Sequence, residues 1–255
     1  MFTVQKRAEL GKKGYVVIED VLSGNVCDTF VQQYQEWLSS FTKHNSWPFS
    51  YNSLIQRYKV GHAEPSWRVR LATTPVFAQL WGTEKLLTSF DAIAIGRPPE
   101  EGSKEFRRAN QHWLHSDQSA SQIGRHCVQG AVYLESADED DWTLEVLEES
   151  HKYHQEFMQS HPKAFLRSSL AKFYRLRDGE PEWFEEKGCL RKTVAVPKGG
   201  MVLWDSRLIH ANAKPVKGRR NPGRWRHVVF VCMGPAIWAS DRDLQQKSLA
   251  YHQVL

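Results

Sequence analysis

No stretch of this 255-residue chain is apolar for long enough to cross a bilayer. Its longest unbroken apolar run is Val228–Met233, against the roughly 18–20 residues a spanning helix needs. The opening MFTVQKRAELGKKG lacks the apolar core of a secretory leader, so no membrane association and a cytoplasmic location are expected. Cysteine is scarce. Cys27, Cys127, Cys189 and Cys232 stand far apart with no CxxC pair, which argues against a zinc ribbon or a disulfide framework and for reduced thiols. No repeat of 20–50 residues, no linker and no low-complexity segment interrupts the chain, so one domain over 1–255 is expected. The 41% hydrophobic and 25% charged content excludes a disordered or fibrous chain. Aromatics, in contrast, are plentiful: ten Trp, twelve Phe and eight Tyr suggest an aromatic-lined core or pocket.

The net charge of +5 is too modest by itself to argue for a phosphate-backbone binder. It is unevenly spread. Residues 135–149 carry eight acids and no base, and residues 214–226 carry six bases and no acid. A solvated loop is the plain reading of the basic stretch, with nucleic-acid contact as its rival.

Tyr15–Leu22 is a β-branched run that ends at Ser23, a helix N-cap residue type. Over 25–43, Val26, Phe30, Tyr34, Leu38 and Phe41 recur at helical spacing. Residues 46–69 read as irregular, and a second helix is expected over 75–89, opened by Pro75. Short strands then follow at Phe90–Ile95, Cys127–Leu134, Thr143–Leu147, Leu190–Val196, Met201–Trp204 and Trp225–Met233, with helical insertions near 150–176 and 181–187. A last helix fits 240–253. The expected architecture is mainly β with flanking α. Helices of 1–89 pack on a double-stranded β-helix core (jelly-roll, cupin-like) over 90–235, followed by a C-terminal helix over 236–255.

Three features carry chemistry. His115-Ser116-Asp117 precedes the strand HCVQGAVYL, His210 follows 93 residues after Asp117 in GGMVLWDSRLIHAN, and arginines cluster before the strand RWRHVVFVCM. Two histidines and one carboxylate with open positions form the facial triad of non-haem Fe(II) oxygenases. On extended backbone, residues i and i+2 point to the same side, so His115 and Asp117 can reach one ion. A jelly roll brings the third ligand from far along the chain. Such a centre leaves positions for dioxygen and an α-keto acid such as 2-oxoglutarate, whose far carboxylate needs a cation. Arginine suits that role because its planar fork pairs bidentately with a carboxylate. Arg220, Arg224 and Arg226 are the candidates: Arg220 falls in the Asn-Pro-Gly turn, Arg224 at the strand entrance, and Arg226 deepest.

The segments HSDQ, CVQG, LEVLEESHKYHQEF, KGGMVLWDSRLIHAN and RWRHVVFVCMGP resemble the phytanoyl-CoA dioxygenase-like branch of the Fe(II)/2-oxoglutarate oxygenases. Together with WRVRLATTPVFAQLWGTEKLLTSFDAIAI, the resemblance spans roughly residues 65–235. It implies catalytic and metal-binding roles for His115, Asp117 and His210, with 2-oxoglutarate on Arg226. Two departures are visible. Asp140-Asp141-Trp142-Thr143-Leu144 stands where relatives carry a Gly-Gly-Leu turn, and the loop from His210 to Arg226 is longer than usual.

Around this set, Gln129 reads either as a co-substrate contact or as a buried, backbone-satisfied amide. His112 lies off the parity of the triad and reads as structural; His126, His151 and His154 read as surface or supporting residues. Trp204 and Trp225 read as core. Asp205 reads as orienting a ligand or capping a turn, and Arg68 and Arg70 read as surface ion pairs in preference to contacts with an anionic substrate. The expected activity is hydroxylation of an unactivated C–H bond of a small-molecule substrate, using Fe(II), 2-oxoglutarate and O2, with ascorbate as support. The carboxylate of Asp117 favours hydroxylation over halogenation, which needs that position vacated for chloride. The rivals are a non-catalytic metal- or ligand-binding jelly roll and an oxygenase that oxidises nucleic acid.

Overall fold

The computed structural model describes residues 1–255 except 45, 103–104, 109–111 and 254–255. The N-terminal part runs α1 (Val4–Lys13), β1 (Tyr15–Ile18), α2 (Gly24–Thr42), β2 (Leu54–Ile55), α3 (Glu64–Trp81), β3 (Leu86–Thr88) and β4 (Ile93–Gly96). Next come β5 (His115–Ser116), β6 (Val128–Tyr133), β7 (Thr143–Glu148), α4 (His154–Ser160), α5 (Pro162–Ala171), β8 (Tyr174–Arg175), α6 (Glu180–Glu186) and β9 (Leu190–Val194). The chain closes with β10 (Met201–Asp205), β11 (His210–Ala213), β12 (Arg226–Pro235) and α7 (Asp241–Gln253). Residues 254–255 of the expected C-terminal helix lie outside the described residues.

Every strand pairing is antiparallel, and the strands form two facing sheets. The major sheet has the order β1-β10-β6-β12-β4-β2, with β3 on the far part of β12; the minor sheet has the order β8-β5-β11-β7-β9. This is the jelly-roll arrangement expected from the strand pattern. Period-two alternation builds three apolar layers. On β10, Val202 and Trp204 face inward onto Leu144 and Val146 of the minor sheet. Met201 and Leu203 face outward, where they meet Phe30, Tyr34 and Leu38 of α2 and Val69 and Phe77 of α3. The outer face of the minor sheet buries Leu114, Leu147 and Ile209 against Phe157, Met158 and Phe184. No described helix is long and apolar enough to cross a membrane.

Several local expectations are corrected. The second helix starts at Glu64 rather than 75, because Pro65, not Pro75, occupies its first turn, and it stops at Gly82 in the left-handed region (φ 70°). Pro75 sits inside it. The amide it lacks would have bonded the carbonyl of Leu71, on an exposed turn where water can substitute. The strand expected over Phe90–Ile95 begins only at Ile93, as β4, while β3 occupies Leu86–Thr88, inside the segment expected to be helical. Arg68 does form a surface pair with Glu64, whereas Arg70 is fully buried, donating to the Gly61 carbonyl at 2.5 Å. Cys127 and Cys232, 105 residues apart, come together with their free thiols 3.0 Å apart.

The charged stretches also behave differently from a solvated loop: they bind each other. Arg219, its side chain fully buried, donates to Asp141 at 2.8 Å and with two nitrogens to Glu100 at 3.1 Å. Arg224 reaches Asp138 at 2.8 Å and Asp141 at 2.7 Å. These pairs lock the β6–β7 loop to the β11–β12 loop and so fix where β12 begins. Arg224→Ala should therefore lower stability by about 1–2 kcal/mol, since Asp141 keeps Arg219 as a partner. A denaturant midpoint measurement checks this, and 2-oxoglutarate affinity should stay unchanged.

Candidate metal centre

The two sheets open at one end, where β5, β6, β10, β11 and β12 converge on a cavity of about 150 Å³. His115 opens β5 and lies directly opposite His210, which opens β11. Asp117 follows two residues after His115 on extended chain, its amide pinned to the Ser206 carbonyl at 3.1 Å in the turn after β10. As a result the strand return supplies what the sequence separates by 93 residues. His115 Nε2 stands 3.6 Å from one Asp117 oxygen and His210 Nε2 3.5 Å from the other. All three ligand atoms lie within 4.8 Å of one another.

Both imidazoles are oriented by the same local device. His115 Nδ1 donates to the Trp113 carbonyl and His210 Nδ1 to the Leu208 carbonyl, each at 2.9 Å and each two residues upstream. A carbonyl only accepts, so the proton sits on Nδ1 and the Nε2 lone pair is left for an ion. Burial and the neighbouring His210 pull the His115 pKa down to about 4, keeping it in the neutral, ligating form at pH 7. Burial alone would push the Asp117 carboxyl up. The two imidazoles beside it and the Gln129 amide that donates to it outweigh this and hold Asp117 well below the usual carboxylate range.

Gln129, on β6, donates to the second Asp117 oxygen at 2.8 Å, and its own carbonyl oxygen is buried without a partner among the described residues. It is therefore not the buried, backbone-satisfied amide: it holds the Asp117 carboxylate and keeps an unpartnered carbonyl oxygen beside the cavity, where the expected 2-oxoglutarate contact would fall. Trp204 lines the same cavity, 5.3 Å from His210, besides belonging to the inner core. Asp205 caps its own turn through the Arg207 amide and pairs bidentately with that guanidinium. His112 is not joined to the triad; its Nδ1 accepts from the Leu114 amide at 3.3 Å. Trp225 stacks on His227 outside the cavity.

Arg226 opens β12 and is 3% exposed. It donates to Ser53 Oγ at 3.1 Å and Asn212 Oδ1 at 2.9 Å, while its Nε has no partner among the described residues. No carboxylate among the described residues pairs with it, and burial pulls its pKa below the ordinary guanidinium value. A buried cation with neutral partners and an idle donor is a site prepared for an anion. Asn212, which also lines the metal-side cavity, connects the two. Arg220 is exposed and Arg224 is engaged by Asp138 and Asp141, so of the three candidate arginines only Arg226 fits an internal carboxylate. Sequence reading missed Ser53 and Asn212. The second had a signal, because it lies two residues beyond His210 on the same face of a strand.

A sequence model described as phytanoyl-CoA dioxygenase (PhyH) matches residues 10–215. The chain is 26% identical over 266 residues to "Ava biosynthesis cluster protein O" of Aspergillus versicolor, covering 98% of this chain and 83% of that protein. Its fold is similar to that of SnoK, a non-heme alpha ketoglutarate dependent carbocyclase from nogalamycin biosynthesis (TM-score 0.62, 16% identity, 91% of this chain and 83% of that one). It is similar also to EctD from S. alaskensis with 2-oxoglutarate and 5-hydroxyectoine (TM-score 0.58, 16% identity, 92% and 77%).

Proposed function

This chain belongs to the phytanoyl-CoA dioxygenase family, and from that premise we propose that it hydroxylates an unactivated C–H bond of a small organic molecule. It is a non-haem Fe(II)/2-oxoglutarate oxygenase. In our reading O2 is the oxidant, succinate and CO2 are released, and ascorbate sustains turnover. When bound, the ferrous ion and 2-oxoglutarate supply the activation of dioxygen and the two-electron oxidation of the substrate. His115, Asp117 and His210 hold the ion, and Gln129 keeps the Asp117 carboxylate turned toward it. Arg226, set by Ser53 and Asn212, takes the far carboxylate of 2-oxoglutarate. Leu144, Trp204 and Phe230 line the cavity with apolar surface and exclude water from it.

The observation that carries this reading is the pair of imidazoles whose Nδ1 protons are tied to carbonyls while both Nε2 atoms aim at one carboxylate. The Aspergillus versicolor relative, by its name a biosynthesis-cluster protein, supports a substrate that is a biosynthetic small molecule. The test is turnover of a metabolite extract with Fe(II), ascorbate and 2-oxoglutarate. Succinate should form together with a product heavier by one oxygen; absence of succinate under every condition sinks the proposal and leaves a non-catalytic metal-binding jelly roll.

Gln129→Leu separates orientation from ligation. Losing the hydrogen bond to Asp117 should weaken metal binding about 10–100-fold, the range for partners that orient a ligand. Calorimetric titration with Mn(II) reads it, and unchanged affinity means Gln129 does not support the centre.

A further inference from the structure

A second, larger cavity of about 480 Å³ adjoins the metal side, sharing Trp113 and Asn212 with it. Six cationic side chains line it (Arg107, Arg108, Arg175, Arg191, Lys192 and Lys214) against one acid, Glu145. Three are matched. Lys192 pairs with Glu148 and Lys214 with Glu105, both at 2.8 Å, and Arg191 pairs with Glu185 at 3.3 Å. Two others donate only to neutral oxygens. Arg107 reaches the Lys214 and Glu139 carbonyls at 2.9 and 3.4 Å. Arg175 makes two stretched bonds, to Tyr51 Oη at 3.3 Å and the His112 carbonyl at 3.4 Å. Among the described residues neither guanidinium has a carboxylate within ion-pair distance.

The position of Arg175 matters more than its charge. On β8 it lies directly opposite His115, and residues opposed across antiparallel strands point to the same face. Between the arginine and the metal side stands an aromatic wall: Tyr51 meets Trp113 edge to face at 5.2 Å, and Trp113 lies 4.5 Å from the His115 ring.

We infer that this outer cavity is the substrate's anion seat: the molecule oxidised at the triad carries a carboxylate or phosphate held by Arg175 and Arg107, and its apolar body passes along Trp113. Guanidinium forks fit both anions. The inference rests on the oxygenase reading for the direction in which the substrate points, but not for the existence of the seat.

Three probes of one shape test it: 2-naphthoate, 2-naphthyl phosphate and the neutral 2-naphthamide. Each is titrated by tryptophan fluorescence under nitrogen into enzyme loaded with Mn(II) and saturating 2-oxoglutarate, so that the Arg226 end is filled. At least one anion should bind about tenfold or more tighter than the amide, and which one does so separates a carboxylate from a phosphate substrate. In Arg175→Gln combined with Arg107→Gln the preference should fall to within about threefold, while Arg175→Lys should retain part of it. The thermal midpoint of the double variant verifies its fold. If the double variant unfolds, Arg175→Gln alone, at an exposed position, must still remove most of the preference. Equal affinity for all three probes, binding of none, or an undiminished preference in the variants overturns the seat. Failure of the oxygenase reading appears elsewhere, as absence of succinate from wild-type enzyme.

Discussion

Arg226→Met weakens 2-oxoglutarate binding by about a hundredfold or more, yet leaves the ligand-free protein no less stable than wild type. Both halves follow from the surroundings of the guanidinium. It is 3% exposed, and its partners among the described residues, Ser53, Asn212 and the Tyr133 ring 5.8 Å away, are all neutral, so without an anion its charge is buried and unpaired there. Replacing such a charge by an apolar side chain of similar volume is commonly neutral or stabilising. With a carboxylate in place the balance reverses. Removing one member of a buried, hydrogen-bonded pair costs about 3–5 kcal/mol, and about 2.7 kcal/mol already corresponds to a hundredfold in affinity. Thermal melts show both effects at once. At a 2-oxoglutarate concentration of about 100 Kd the wild type gains about 2.7 kcal/mol, whereas a variant binding a hundredfold more weakly gains about 0.4 kcal/mol. Arg224→Ala reverses the pattern: it loses stability through Asp138 and Asp141 and keeps the ligand-induced gain. If Arg224→Ala loses the gain and Arg226→Met keeps it, the anchor is Arg224.

How much of this was legible in the chain depended on the range of the interaction. His115 and Asp117 were visible because an i, i+2 pair needs only extended backbone. The strands β6, β7, β10 and β12 were visible because their inward and outward faces alternate between two apolar layers. His210 stands out as a candidate ligand by its type and by its place after a β-branched run. Its opposition to His115, by contrast, is a property of strand order, which no local pattern encodes. The residues missed are those placed by irregular backbone. Ser53 reaches Arg226 from a turn in which Asn52 and Ser53 both adopt positive φ (46° and 67°), an arrangement that favours neither residue strongly enough to be read in advance. Arg175 stands on a two-residue strand inside a segment that reads as helical, because the pairing with β5 outweighs local preference there. The ion pairs between the acidic and basic stretches are not a property of either stretch alone; the signal is their complementarity.

The largest effect belongs to the triad. His115→Ala, Asp117→Ala and His210→Ala should each abolish 2-oxoglutarate turnover and lower metal affinity by more than the 10–100-fold expected of Gln129→Leu, because a lost ligand removes a bond whereas a lost orienting partner only loosens one. The fold should survive. Asp117 is 31% exposed at the cavity mouth, so its removal forfeits little packing. Each histidine is buried but leaves its neighbours' backbone pairing intact, since the strand partners of β5 and β11 are held by main-chain bonds. Asp117→Asn is the sharper variant. It keeps the shape of the side chain and a hydrogen-bonding group beside Gln129 while removing the negative charge that a divalent ion requires. The amide should therefore preserve the ligand-free thermal midpoint and lose most of the Mn(II)-induced upward shift. The order of losses decides the assignment: if Gln129→Leu proves more damaging than any of the three, or if one of them retains near-native Mn(II) affinity and turnover, that residue is not a ligand and the ion sits elsewhere in the cavity.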